Sequence, residues 1–501
     1  MSLSTASNIA QSGLNTVSSE ISVLSRNIAG ANNTGISSEK TANIITALGG
    51  GSQVASITRA TNLAVFQNLL QATSANAAQT SLLSGISTLN QTIGNISSSS
   101  SSSGSADNSP AALLSNFTNA LQSFEASPSD SSLATAAVSQ ASALAQGLNS
   151  ATATINTARE QADAGIATSV QTINSLLSQF QSVNTQIVNG MATGADVTDA
   201  QDARDTILTQ LAQQIGISTT TSPNGGMSIY TDSGVTLFQG GTARTVTFSP
   251  TATYTPSTTG NAVYVDGVPI TGSSASTPIS TGNIAGLANL RDNLATTYQA
   301  QLDNMAGALI ATFAESPQSG SGPNLPGLFT TPGATALPTS TTGLAGQITI
   351  NPSVDPSQGG NPFLLRDGGI SGNANYVYNT TGQASYSARL SQLLTQLSAP
   401  QTFAADGDIA TNTSLSAYAS GSVGWLENQY STASSQQTYQ STLVSTATTA
   451  LSNSTGVNID TEMSKMLDLE NSYSATAKLI SAIDSMFNTL VTNLSNITVP
   501  A

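Results

Sequence analysis

The chain has no cysteine, no histidine and a single tryptophan, and only 7% of its 501 residues are charged, against roughly 25% in an average soluble protein. Without cysteine there are no disulfides, thiolate metal sites or thiol redox chemistry, although the compartment stays open because disulfide-free secreted proteins are common. Without histidine, catalysis would need paired carboxylates, a Ser with Lys, or an oxygen-liganded metal. The eleven Lys and Arg residues are scattered through a chain of net charge −15, so no basic run can neutralise a row of phosphates, and nucleic acid and anionic membranes are excluded as partners. No apolar run approaches the about 18 residues that span a bilayer, so no membrane insertion is expected. The opening MSLSTASNIAQSGLNTVSSE has no basic n-region, apolar h-region or cleavage-site pattern, so export would use a route other than a Sec signal peptide. Ser, Thr, Asn and Gln supply the solubility, a profile suited to a surface that is covered on assembly.

What the chain does have is helical patterning at both ends. Leu3, Ser7, Ala10, Leu14, Val17, Ile21, Leu24 and Ile28 alternate four-residue and three-residue steps, an amphipathic seam broken only by Ser7. It closes on NIAGANNTG, whose Gly30, Asn32, Asn33 and Gly35 stop helices. The tail repeats the design more strongly through Met466, Leu469, Tyr473, Thr476, Ile480, Ile483, Phe487, Leu490, Leu494 and Ile497. Gly456 precedes it, and Asp460 and Glu462 suit the positive end of the helix dipole.

Further seams run through Leu82, Ile86, Leu89, Ile93 and Ile96, and through Ile166, Ser169, Ile173, Leu176, Phe180, Val183 and Ile187, with a flexible Ser-rich connection from Ser97 to Ser103 between them. From Ile217 to about Gly272 the period shortens: MSIY, VTLF, VTF and AVYV are separated by NGG, DSG, GG and DG, which is hairpin punctuation. Helix returns at 282–315, a Gly/Pro/Thr-rich region follows to about 402, and helical patterns run to the end. The expected fold class is mainly α with a β-rich insertion: terminal coiled-coil-like helices, a helical-bundle stem and a small outer β domain. The expected boundaries are 1–40 and 456–501 for an inner core domain, 41–215 with 282–315 and 403–455 for the stem, and 216–281 with 316–402 for the outer insertion.

Chemistry finds little support. The one Ser-x-x-Lys, SSEK at 37–40, is a chance-level pattern and reads as a solvated turn. In GADVTDAQDARD, Asp196, Asp199, Asp202 and Asp205 recur every three residues, as a hard cation could require. The plainer reading is a helix start whose acids complement its dipole and pair with Arg204. Trp425, in GSVGWLENQYS, reads as a core or interface anchor. No catalytic, metal-binding or cofactor-binding residue is assigned, no cofactor is expected, and the chain reads as a non-enzyme. A carboxylate-based glycosidase would need two carboxylates converging in a cleft.

The tail STGVNIDTEMSKMLDLENSYSATAKLISAIDSMFNTLV and the head SGLNTVSSEISVLSRNIAGANNTG resemble the terminal signatures of axial proteins of the bacterial flagellum. DARDTILTQLAQQIGISTTTSPNGGMSIYTDSGVTLFQG at 202–240, NIAGLANLRDNLATTYQAQLDNMA at 283–306 and GSVGWLE at 421–427 resemble segments of the hook-associated proteins that join hook to filament. In one place the sequence departs from that pattern: Ile36 stands where the family commonly has an aromatic residue.

The resemblance implies a secreted structural subunit, exported through the flagellum's own channel and located at the hook–filament junction outside the cell. It would polymerise there as a collar. The implied partners are further copies of itself, the hook protein, the second junction protein, and an export chaperone with the export apparatus. Flagellin would then build on the finished junction. The expected assembly interface is Leu3, Leu14, Val17, Ile21, Leu24 and Ile28 on the first helix, with Met466, Leu469, Tyr473, Ile480, Ile483, Phe487, Leu490 and Leu494 on the last. Full stability of these helices is expected only once neighbouring subunits cover their outer faces. The competing reading is a secreted adhesin-like surface protein whose coiled-coil stalk closes on itself.

Overall fold

The structure, a computed structural model, describes residues 2–31, 36–94 and 108–497. The turn residues Asn32, Asn33 and Gly35, the Ser97–Ser103 connection and Ile96 lie outside the described residues. The helices are α1 (Leu3–Gly30), α2 (Leu63–Asn90), α3 (Pro110–Ala126), α4 (Ser131–Thr193), α5 (Thr198–Gln214), α6 (Asn283–Asn289), α7 (Ala295–Thr312), the single turn α8 (Leu364–Asp367), α9 (Ala388–Ser398), α10 (Leu415–Thr455) and α11 (Ile459–Ile497).

The 63-residue α4 is the spine, about 95 Å long at 1.5 Å per residue. Asp130 starts it by accepting from the N–H groups of Ser132 and Leu133, and Gly194 ends it at φ 72°, the left-handed cap that glycine adopts without strain. Two hydrophobic cores form along its length. Leu144, Leu148 and Ile155 from its first half pack with α3, α7, α9 and the start of α10, around a trio of rings in which Phe117, Phe313 and Phe329 lie 5.3–5.6 Å apart. Ile173, Leu177 and Phe180 from its second half pack with α5 and the strands beyond it, Phe180 meeting Phe238 edge-on at 4.9 Å. Helices α2 and α10 contribute to both cores, so three long helices tie the two together. Trp425 of α10 stacks beside Tyr298, and its indole N–H donates to Asp408 at 3.2 Å.

The strands after α5 are β3 (Ile217–Thr221), β4 (Met227–Thr231), β5 (Thr236–Gln239), β6 (Thr242–Ala243), β7 (Val246–Thr247), β8 (Tyr264–Val265) and β9 (Val268–Pro269), numbered after the early hairpin strands β1 (Lys40–Thr46) and β2 (Ser52–Arg59). They form an antiparallel β3-β4-β5-β6 sheet and a three-stranded β7-β8-β9 sheet. Both lie on the second core. Residues 316–402 lie instead on the first core and contain mainly turns, short helical turns and α9, with two-residue strands at Phe329–Thr330 and Thr349–Ile350. The two insertions therefore cover different halves of the spine. Gly and Pro punctuation alone cannot separate hairpins from irregular turns, because both need the same residues.

The helix expected at 282–315 is interrupted. Leu290–Leu294 forms one π-turn between α6 and α7, and this places Arg291 in the interior. Its guanidinium is 0% exposed and bonds Asp163 at 2.6 Å, both oxygens of Asp292 at 2.8 Å and the Asn261 carbonyl at 2.8 Å. Burial disfavours that charge, but the bonds and charge of Asp292, backed by Tyr254 and Asp163, raise the Arg291 pKa above its ordinary value. Beside it Arg159 donates to the carbonyls of Arg291, Thr255 and Thr258, and the Tyr254 hydroxyl donates to Asp163. The cluster fastens the loop at 250–261 to the spine. Arg291→Met would leave two carboxylates without their cation. We expect a loss of about 3–5 kcal/mol in unfolding free energy by denaturant titration; a change below about 1 kcal/mol would show that the cluster does not hold the loop.

Candidate assembly interface

The first and last helices pair with each other. Gly13 of α1 lies against Thr476 of α11, and Asn27 meets Glu462, so the two run antiparallel. Ser2 caps α1 by accepting from the Thr5 N–H, and Asn458 does the same for α11 through Thr461. The hairpin β1–β2 lies along a second flank of α1: the Thr16 hydroxyl donates to the Ser52 carbonyl at 3.0 Å, and the Ser12 hydroxyl accepts from the Ser52 N–H at 3.2 Å. Residues 41–59 fall in the span 41–215 expected to form the helical stem, and the uncharged TANIITALGGGSQVASIT has no clean period of either kind that marks its strands.

Asn27 joins all three elements. Its side-chain amide accepts from the Lys40 N–H at 2.9 Å, and donates to the Lys40 carbonyl at 2.8 Å and to Glu462 at 2.7 Å. The seam drawn through Leu24 and Ile28 passes over it. A side-chain amide inside LSRNIAG was the available signal, and an amide is suited to the place because it can donate and accept at once.

The expected interface residues fall into three groups. Leu24 and Ile483 are buried, and Leu3, Leu14, Val17, Ile21, Ile28, Met466, Leu469 and Ile480 are half-buried. Tyr473, Phe487, Leu490 and Leu494 are exposed. The helix register explains part of this division, since it carries Leu3 to about the level of Met486 and leaves the last turns of α11 without an α1 partner. A second set of apolar side chains, Ile459, Met463, Leu467, Leu479, Met486 and Val491, also faces outward from α11. A single seam drawn at three-four spacing could not include them, because they lie on another face of the same helix.

A charge network connects this terminal module to the stem. Arg26 bonds Asp196 at 2.8 Å and Asp199 at 3.1 Å; Lys40 bonds Asp199 at 3.2 Å and Asp202 at 2.9 Å; Arg59 bonds Asp202 at 2.8 Å and Asp205 at 2.7 Å. Lys465 adds Glu39 and Glu462. Two readings of the sequence are corrected here. SSEK is not a solvated turn, because Ser38 and Lys40 are buried. The four aspartates take their partners from α1, β1 and β2 rather than Arg204, which turns to the Gly225 carbonyl at 2.7 Å. Burial works against the Asp196 charge, yet bonds from the Thr198 N–H and hydroxyl and from Arg26 hold its carboxyl below the usual range. Burial pushes the Asp205 carboxyl up against the pull of Arg59 and Arg204. Among the described residues no residue of α1, α11 or the hairpin belongs to either stem core, and only Ile36, in the connection after α1, packs against one of them. Clefts of about 890 and 840 Å³ border the joint. Its orientation is therefore set by charge rather than by shared apolar packing.

Residues 450–494 match the family model of the flagellar basal body rod FlgEFG protein C-terminal. Residues 100–327 match the flagellar hook-associated protein FlgK helical domain. It is 26% identical over 321 residues to flagellar hook-associated protein 1 of Escherichia coli K12, covering 63% of this chain and 56% of that one. To hook-associated protein 1 of Bacillus subtilis 168 it is 22% identical over 413 residues, 76% of each. The chain thus matches a little over half the length of the E. coli relative. The solved flagellar hook junction protein FlgK of Burkholderia pseudomallei aligns with a TM-score of 0.42 and 22% identity, over 53% of this chain and 46% of that one. The comparisons give no support to an adhesin. Among the described residues no helix is long and apolar enough to cross a membrane.

Proposed function

We propose that this chain is a structural subunit of the bacterial flagellum that assembles as a collar between hook and filament. Its partners are further copies of itself, the hook protein below and the second junction protein above, with flagellin building on the finished junction. It travels outward through the flagellar export apparatus, escorted by an export chaperone. The observation that carries this reading is the outward face of α11: a long apolar helix surface beside a paired α1, in a chain whose residues 100–327 match the FlgK helical domain. A protein in water rarely keeps so large an apolar face bare unless a partner covers it. The α1–α11 pair forms the inner part, the stem the wall, and the insertions at 216–281 and 316–402 the outer surface. The chemistry is packing, with no catalytic step.

Deletion of the chain in its own organism tests the reading. Cells without it should build hooks but no filaments, with flagellin recovered from the medium, as seen by electron microscopy and immunoblotting. Filaments of normal number and length in the deletion strain would overturn it.

A further inference from the structure

Three places outside the α1–α11 seam could carry a further role: the clefts at the charged joint, the buried Arg291 cluster, and the hairpin β1–β2. The joint carboxylates already face cations, and the Arg291 cluster is closed within the fold. The hairpin differs from both, because its apolar end has no partner among the described residues.

Ile44 and Ile45 are exposed in β1, and Leu48 at the tip is fully so, at 109% relative exposure. The hairpin is an isolated two-stranded ribbon, a form of marginal stability unless something packs on it. Lys40 and Arg59 at its base enter the joint, and residues 41–58 between them carry no charge. A second charge-free stretch lies further along the molecule, at the end of α11. Gly50 of the hairpin turn lies beside Ile9 of α1, close to where α11 passes Ile480 and Ile483. After Asp484, α11 has no charged residue, and it exposes Met486, Leu490, Val491 and Leu494.

We propose that the hairpin tip is a second self-assembly element, in which Ile44, Ile45 and Leu48 of one copy dock on the end of α11, at Met486 and Leu490, of the adjacent copy. This inference rests on the self-assembly proposed above and extends it to residues outside the terminal seams. The occupant is argued from charge: copies that each carry −15 repel, and the two apolar patches at this end are where they can approach without opposing like charges. The patches are different surfaces of the chain, so the contact is heterologous. Rotation about an axis repeats it from copy to copy, which closes a ring or starts a shallow helix.

The cysteine-free chain makes the test direct. L48C and L490C are introduced together into the full chain in its own organism, flagella are isolated and oxidised, and the product is read on a non-reducing gel. A heterologous contact gives a ladder of dimers, trimers and larger species with the double variant, and no ladder with either single variant. Flagella that contain the double variant and give only monomer after oxidation overturn the proposal. A charge variant supplies the second readout. Leu48→Asp should still be exported but be missing from isolated flagella by at least tenfold, and incorporation at the wild-type level would also overturn the proposal. Phe487→Asp run in parallel separates the two readings: if it is excluded while Leu48→Asp enters normally, self-assembly through the terminal helices stands and the hairpin contact falls.

Discussion

Replacing Asp202 with alanine should release the terminal helix pair from the stem while leaving both stem cores folded. Asp202 accepts from Lys40 at 2.9 Å and Arg59 at 2.8 Å, and faces the Ser38 N–H at 3.4 Å. Both cations are nearly buried, so losing their shared carboxylate leaves charge in a poorly hydrated place, a loss put at about 3–5 kcal/mol for a buried pair. Lys40 keeps Asp199 and Arg59 keeps Asp205, which sets the expectation at the low end, about 3 kcal/mol. Because no apolar core spans the joint among the described residues, that loss should appear as local freedom rather than global unfolding. Hydrogen exchange should quicken across 36–62 and 456–465 with little change in α4, and limited proteolysis should cut in the same connections. Identical exchange and cleavage patterns in Asp202→Ala and the natural protein would show that the joint is held by something other than this network.

Phe487→Asp should have the opposite profile. Phe487 is 48% exposed in the single chain, so the purified variant should unfold within about 0.5 kcal/mol of the natural protein. In a polymer whose neighbours cover α11, the new carboxylate would be buried without a partner, costing several kcal/mol in every subunit. Assembly and swimming should be lost with the stem intact, as read by circular dichroism, electron microscopy and motility on soft agar. Ile483→Asp provides the contrast: Ile483 is only 5% exposed, so that change should weaken the α1–α11 pair in the isolated chain as well. Normal swimming of Phe487→Asp cells would remove α11's outer face from the assembly surface.

The two variants probe different designs in one molecule. The stem holds itself together by apolar packing through α2, α4 and α10, shared between two cores. The terminal module pairs α1 with α11 and leaves apolar surface outside. Four of the chain's eleven cations, Arg26, Lys40, Arg59 and Lys465, gather where module meets stem. Ion pairs fix direction through defined hydrogen-bond geometry, whereas apolar contact is non-directional. In a subunit assembled as proposed, such a joint would set an angle without making the two parts one rigid body.

The sequence by itself determined the helices and their apolar faces, because a heptad seam is local: residues three and four apart share a face whatever the rest of the chain does. The strands after Ile217 were legible for the same reason, since alternation and NGG, DSG and DG turns are short-range signals. It also settled, through composition alone, that thiol and imidazole chemistry are absent. Tertiary structure decided which side of each seam is filled. Ile483 and Phe487 are successive members of one seam, yet only the first has α1 opposite it. Tertiary structure also decided that Asp202 meets Lys40 and Arg59, residues 162 and 143 positions away, and that Asn27 holds three elements together. Pairings over such distances leave no periodic trace, because they depend on where the spine and the terminal pair cross in space.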